Sequence, residues 1–229
     1  MMKKPDLKIV LLGDMNVGKT SLLHRYMERR FQDTVSTVGG AFYLKQWGPY
    51  NISIWDTAGR EQFHGLGSMY CRSASAIILT YDVSNMQSLL ELEERFLGLT
   101  DTASDDCIFV VVGNKIDLTE DCEAENDLEV DRPRSSSTSK VRKQVTKEDA
   151  IALYKRIMKY RMVDDSHAPA AEKMCFESSA KTGYNVDVLF ESVFNMVIPL
   201  IVKKRANEPY DTVNLAQISR EKQTKKGCC

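Results

Sequence analysis

At 229 residues the chain has room for one well-buried domain with appendages and is too short for two full ones. Its content of 43% hydrophobic and 28% charged residues is ordinary for a soluble globular protein, and a net charge of −1 offers no basic face for nucleic acid. Four of the six cysteines are scattered singly and two are adjacent at the end; with no CxxC pair, neither a zinc site nor a disulfide framework is indicated, which fits a reducing, cytosolic setting.

In chain order, Lys3 and Lys4 precede an apolar run that Lys8 interrupts and Gly13-Asp14 stops. That run is too short for a signal peptide and reads as a first strand, Leu7–Leu12. Lys19–Glu28 reads as a helix, Ile52–Trp55 as a strand and Ala76–Tyr81 as a strand. Gln87–Leu99 follows as a helix capped by Ser84 or Asn85, then Ile108–Val112 as a strand and Lys147–Arg161 as a helix. Met174–Phe176 makes a short last strand, and Val186–Arg205 a last helix capped by Asn185. No window approaches eighteen consecutive apolar residues, the length that spans a bilayer.

Such alternation predicts a single α/β domain, with a mainly parallel six-stranded sheet and helices on both faces. In such sheets ligands gather at the carboxyl ends of the strands. Residues 119–131 break the pattern with seven acids and no base, and residues 132–143 follow with five bases, no acid and five Ser/Thr. This stretch cannot bury enough surface to offset its ordering entropy, so it is expected to be a disordered insertion; a docking or phosphorylated loop is the functional alternative. The expected organisation is a domain over 1–205 with that insertion, then a flexible tail over 206–229.

"GDMNVGKT", Gly13 to Thr20, fits GxxxxGK[ST] between a strand and a helix. Backbone N–H groups of such a loop (Gly13, Asn16, Val17, Gly18, with Ser21 behind) cradle phosphates at a helix N-terminus. Lys19 would reach the β- and γ-phosphates, and the Thr20 hydroxyl would ligate Mg²⁺. "NKID" puts Asn114, Lys115 and Asp117 after a strand; a carboxylate there accepts from the N1–H and 2-amino edge of guanine, which adenine lacks. "SAK", Ser179-Ala180-Lys181, follows the last strand, where a backbone N–H meets the guanine oxygen. Asp56 in "DTAG" suits the Mg²⁺ shell, Gly59 the γ-phosphate, and Thr37 a second hydroxyl on the metal, in a loop over Phe31–Ala41 that orders with the γ-phosphate.

"GDMNVGKT", "STVGG", "WDTAGREQF", "NKID" and "SSAK", in this order across residues 7–205, resemble the Ras-like small GTPases. The ending "KKGCC" and the aromatics Phe42, Trp55 and Tyr70, matching three that face effectors, resemble the Rab family within them. The combination of "GGAF", "HGLGSMYCRS", Arg60 after "DTAG" and the long insertion resembles a divergent branch of that family. The resemblance implies a GTP/GDP switch in vesicle trafficking with exchange factors, GTPase-activating proteins, effectors and an escort that shields prenyl groups. It also implies the cytosolic face of Golgi, endosomal or phagosomal membranes, with a soluble escorted pool.

The tail carries seven bases against three acids from Lys203 to Cys229. Paired lipid chains on Cys228 and Cys229, as the resemblance implies, would give the two signals that stable anchoring needs, and each nearby base adds roughly 1 kcal/mol at an anionic leaflet.

Arg60 stands where the resemblance leads one to expect the glutamine that orients the attacking water. Arginine has five donors and no acceptor, so it cannot take a proton from that water. Met15 brings bulk to the phosphate loop where a small residue is usual in the family. Slow intrinsic GTP hydrolysis is therefore expected. A GTP-bound scaffold with negligible turnover, controlled by expression or membrane delivery, is the alternative.

Overall fold

The computed structural model describes residues 5–32, 34–59, 64–119, 141–163 and 168–207. Its sheet has six strands in the order β2-β3-β1-β4-β5-β6: β1 (Leu7–Leu12), β2 (Gly40–Trp47), β3 (Tyr50–Thr57), β4 (Ala76–Asp82), β5 (Ile108–Asn114) and β6 (Cys175–Glu177). All neighbours are parallel except β2 and β3, which form an antiparallel hairpin. The mainly parallel α/β sheet expected from the sequence is present.

β4 is buried at every position, which requires cover on both faces. One layer of cover pairs α1 (Lys19–Glu28) with α6 (Val186–Asn207), where Tyr26 stacks on Phe190 at 4.4 Å between ring centroids. The other holds α2 (His64–Cys71), α3 (Met86–Glu91) with its extension, and α4 (Lys147–Tyr160). A four-residue α5 (Ala171–Met174) leads into β6.

Three differences from the sequence expectation have physical causes. The sequence reading expects six strands but locates only five; the sixth is β2, an edge strand that alternates half-buried with exposed positions, so its apolar signal is weak. α2 was not anticipated either, because "HGLGSMYC" contains two glycines, each a poor helix former. The single helix expected over Gln87–Leu99 is instead three pieces: α3, a π turn over Leu92–Phe96 and a 3₁₀ stretch over Leu97–Thr102. The extra residue of the π turn shifts the side-chain register.

Asn85 is the cap of α3, its side chain accepting from the Gln87 N–H at 3.0 Å. Asn185, at positive φ, donates from its side chain to the Glu177 carbonyl at 3.0 Å, while its own carbonyl accepts from the Leu189 N–H. Most of the expected insertion, residues 120–140, lies outside the described residues, as does the tail from 208 onward. The flanks belong to the fold: Thr119 is buried, the Val141 N–H donates to the Leu118 carbonyl at 2.9 Å, and Lys143 pairs with Glu177 at 2.8 Å.

Candidate nucleotide-binding site

The carboxyl ends of β1, β3 and β5, with the loop after β6, open onto one cavity of about 400 Å³. That is within the usual size of a small-molecule site, ~300–1,000 Å³. Met15, Asn16, Gly18, Lys19, Thr20 and Ser21 line one end; Asn114, Lys115, Asp117, Ala180 and Lys181 line the other. Phe31 and the segment Thr34–Thr37 close the side between them, and Thr57 and Gly59 also reach it.

At the phosphate end, the chain leaves β1 through a loop whose Asn16 and Gly18 take positive φ, 59° and 94°. A side chain on Gly18 would strike the Asn114 amide, with only 2.3 Å between its Cβ and Nδ2. Gly59 lies against the same loop: its Cβ would come within 2.4 Å of the Met15 nitrogen, so only glycine lets this strand end meet the phosphate loop. Lys19 is buried, and two of its three donors go to the Gly13 and Asp14 carbonyls at 2.7 and 2.8 Å. Burial brings its ammonium down to about 8, against the opposing pull of Asp56 and Asp14. An anion beside it would favour the charged form further.

Thr20 donates to Asp56 Oδ2 at 2.6 Å, and the Thr37 hydroxyl lies 2.9 Å from Thr20 Oγ1 and 3.4 Å from Asp56 Oδ2. Three oxygens from three separate elements thus converge. Asp56 is fully buried, and its Oδ1 has no hydrogen-bond partner among the described residues. Desolvation raises its pKa, opposed by the Thr20 hydrogen bond and the Lys19 charge. An all-oxygen set with an orphaned buried carboxylate oxygen fits a hard divalent cation such as Mg²⁺. Among the described residues no group of three His, Cys, Asp or Glu could hold a metal. The hydroxyls therefore need phosphate oxygens and water to complete a shell, as is usual for Mg²⁺.

The base end is cross-braced by the protein itself. Asn114 is buried; its Nδ2 donates to the Val17 carbonyl at 2.8 Å and its Oδ1 accepts from the Ala180 N–H at 3.0 Å. Ser179 Oγ donates to Asp117 Oδ1 at 2.5 Å and accepts from the Thr182 N–H at 3.1 Å. Lys115 Nζ pairs with Asp82 Oδ2 at 2.8 Å.

The predicted nucleotide residues therefore meet at one cavity, in two roles. Asn16, Gly18, Lys19, Thr20, Ser21, Thr37, Gly59, Asn114, Lys115, Asp117, Ala180 and Lys181 line it. Gly13, Val17, Asp56 and Ser179 stand behind the wall and act through these neighbours. Met15 lines the phosphate end. Arg60, Cys228 and Cys229 lie outside the described residues.

Two residues not singled out in the sequence touch this machinery. Arg95, on the π turn, reaches Asp14 of the phosphate loop at 3.5 Å and Glu91 at 2.6 Å. Arg25 of α1 donates to the Ala180 carbonyl at 2.7 Å. Neither contact with the site leaves a local sequence signal, because Asp14 and Ala180 are far from Arg95 and Arg25 in the chain.

A second feature lies on the neighbouring surface. The hairpin register sets Phe42 directly opposite Trp55, so both side chains share one face. Their centroids are 5.1 Å apart, Trp55 and Tyr70 are 5.6 Å apart, and Lys8 Nζ lies 5.0 Å from the Trp55 ring. The three predicted aromatics form one cluster.

The sheet order, the phosphate loop after β1 and the base-side loops after β5 and β6 define a P-loop α/β GTPase domain. The Ras family model matches residues 8–198. The chain is 66% identical over 233 aligned positions to Ras-related protein Rab-20 of Mus musculus and of Homo sapiens, with 100% of both chains covered in each case. It is 35% identical over 168 positions to Ras-related protein Rab-21 of Mus musculus, covering 69% of this chain and 76% of that one. The chain belongs to the Ras family of small GTPases, in its Rab branch. It is thus a GTP hydrolase that switches between GTP- and GDP-bound forms in vesicle trafficking, and Ras-family GTPases in general bind guanine nucleotide and Mg²⁺. Exchange factors, activating proteins and effectors are its general partner classes. Among the described residues no helix is long and apolar enough to cross a membrane.

Proposed function

We propose that this GTPase holds GTP across the cavity with slow intrinsic turnover and presents its Phe42–Trp55–Tyr70 face to effectors. The observation that carries the binding reading is the convergence of Lys19, Thr20, Thr37 and Asp56 at one end of the cavity, with Asp117 and the Ala180 N–H group's loop at the other. Lys19 and the loop N–H groups hold the phosphates; Thr20 and Thr37 hold the metal, with Asp56 behind them. When bound, Mg²⁺ supplies positive charge against the β- and γ-phosphate oxygens. Asp117, fixed by Ser179, accepts from the guanine edge.

The Thr37 hydroxyl sits in the loop that the β2 strand continues, and the Ala58 N–H donates to the Gly39 carbonyl at 2.9 Å. A γ-phosphate contact at Thr37 or Gly59 would therefore be felt at Phe42 and Trp55, on the strands that continue from these residues.

Slow hydrolysis rests on the chemistry of Arg60, which lacks an acceptor, and on Met15 at the phosphate end. Single-turnover hydrolysis by the full chain and its Arg60→Gln variant tests it. The variant is expected to hydrolyse about tenfold faster, as an added acceptor lowers the barrier by ~1.4 kcal/mol; an equal or slower rate would contradict the reading. Lipid chains on Cys228 and Cys229 anchor the protein to the cytosolic face of Golgi, endosomal or phagosomal membranes, with an escort shielding them in a soluble pool. Membership of the Rab branch and the tail's paired cysteines support the lipid anchor. A Cys228/Cys229 double-serine variant that still reaches those membranes would refute it.

A further inference from the structure

Helix α1 begins at the phosphate end with Lys19 and Thr20 and runs toward the base end. Six residues beyond Lys19, ~9 Å along the axis at 1.5 Å per residue, stands Arg25. Its guanidinium is spent on backbone carbonyls. Nε donates to Ala180 O at 2.7 Å, Nη2 donates to Lys181 O, and Nη1 donates to Arg29 O at 3.3 Å. Arg25 does not itself line the cavity.

The loop that Arg25 grips is the one that faces the base. Ala180 is held at both ends: its N–H by Asn114 Oδ1 at 3.0 Å, its carbonyl by Arg25. Its neighbour Ser179 sets Asp117 through the 2.5 Å hydrogen bond. A guanidinium delivers its N–H groups in a rigid planar fork, so two bonds to successive carbonyls fix direction as well as distance. Any shift of Arg25 is thus passed to the Ala180 N–H and, through Ser179, to the Asp117 carboxylate.

We propose that Arg25 is a positioning residue: it registers the base-recognition loop against the phosphate-binding helix, and so sets guanine discrimination and nucleotide dwell time without touching the nucleotide. The proposal rests on the reading that Asp117 and Ala180 face the guanine edge. Arg29, one turn further along, makes a natural contrast. Its Nη1 donates to both carboxylate oxygens of Asp187 of α6 at the surface, and its side chain contacts neither loop.

The test compares release of GDP and of inosine diphosphate, which lacks the 2-amino group, from the full chain and from Arg25→Gln, Arg25→Lys and Arg29→Gln. Arg25→Gln is expected to speed GDP release by about tenfold and to shrink the GDP-over-inosine preference at least about threefold, the scale of one lost charge-assisted hydrogen bond. Arg25→Lys, which keeps the charge and one donor direction, falls between it and the wild type. Arg29→Gln leaves both rates within about twofold, as for an exposed ion pair. Equal acceleration of both nucleotides with the preference intact would overturn the proposal, since a loosened fold does not select between bases. The same holds if Arg29→Gln behaves like Arg25→Gln. A wild-type chain with no preference for GDP would overturn the base-site reading itself. If Arg25→Gln does not fold, the Arg25→Lys ratio alone decides between these outcomes.

Discussion

The two ends of the cavity are built on opposite plans. At the base end the recognition side chains are braced within the protein: Asn114 bridges Val17 and Ala180, Ser179 holds Asp117, and Lys115 pairs with Asp82. At the phosphate end the side chains are gathered but incomplete, with Asp56 Oδ1 orphaned and the Lys19 ammonium desolvated. Unpaired buried groups are costly, so the phosphate end is stabilised most by what binds there. The difference teaches where a switch can reside. The base end can hold a nucleotide in either state, while the phosphate end changes with the ligand that completes it.

Substitutions should break this contrast in a graded way. The largest effect is expected from Lys19→Ala, which removes the buried cation of the phosphate end. Titration with a fluorescent GTP analogue should show ~10³-fold weaker binding, the scale of two or more charge-assisted hydrogen bonds. Next comes Asp117→Asn. Replacing an acceptor by an amide should weaken GTP by ~10²-fold while improving xanthosine triphosphate, whose 2-oxo group can accept from that amide. Competition between the two nucleotides reads the exchange directly, and unchanged preference would remove Asp117 from the base site.

Smaller, but sharper for the comparison, is the pair Asn114→Ala and Thr37→Ala in nucleotide-free protein. Asn114→Ala leaves the Val17 carbonyl and the Ala180 N–H without their partner, and chemical denaturation should show a loss of about 2–3 kcal/mol. Thr37→Ala removes only a part-buried hydroxyl contact and should cost less than about 0.5 kcal/mol without ligand. A Thr37 cost as large as that of Asn114 would mean that the phosphate end is also preassembled.

What the sequence disclosed divides along similar lines. The phosphate loop, "NKID" and "SAK" are short and local, and their chemistry dictates residue types at fixed spacing, so the cavity was legible before any fold. β1, α1, β4 and β5 were legible too, because strands covered on both faces read as continuous apolar runs. β2 hid because an edge strand needs only half an apolar face, and α2 because its glycines carry no helical preference. The π turn could not be read at all, since one extra residue in a helix leaves the composition unchanged. It nonetheless brings Arg95 to Asp14. Arg25 escaped for a different reason: its partners lie 155 and 156 residues away and are backbone carbonyls, which impose no residue type.

Hydrogen exchange of the full chain, first stripped of nucleotide and then loaded with Mg²⁺ and a non-hydrolysable GTP analogue, tests the contrast most directly. The account predicts that added protection concentrates in residues 34–41 and 56–59, while 177–184 is protected in both states. Gains at 177–184 as large as those at 34–41 would contradict it, because the base end would then also be waiting for its ligand.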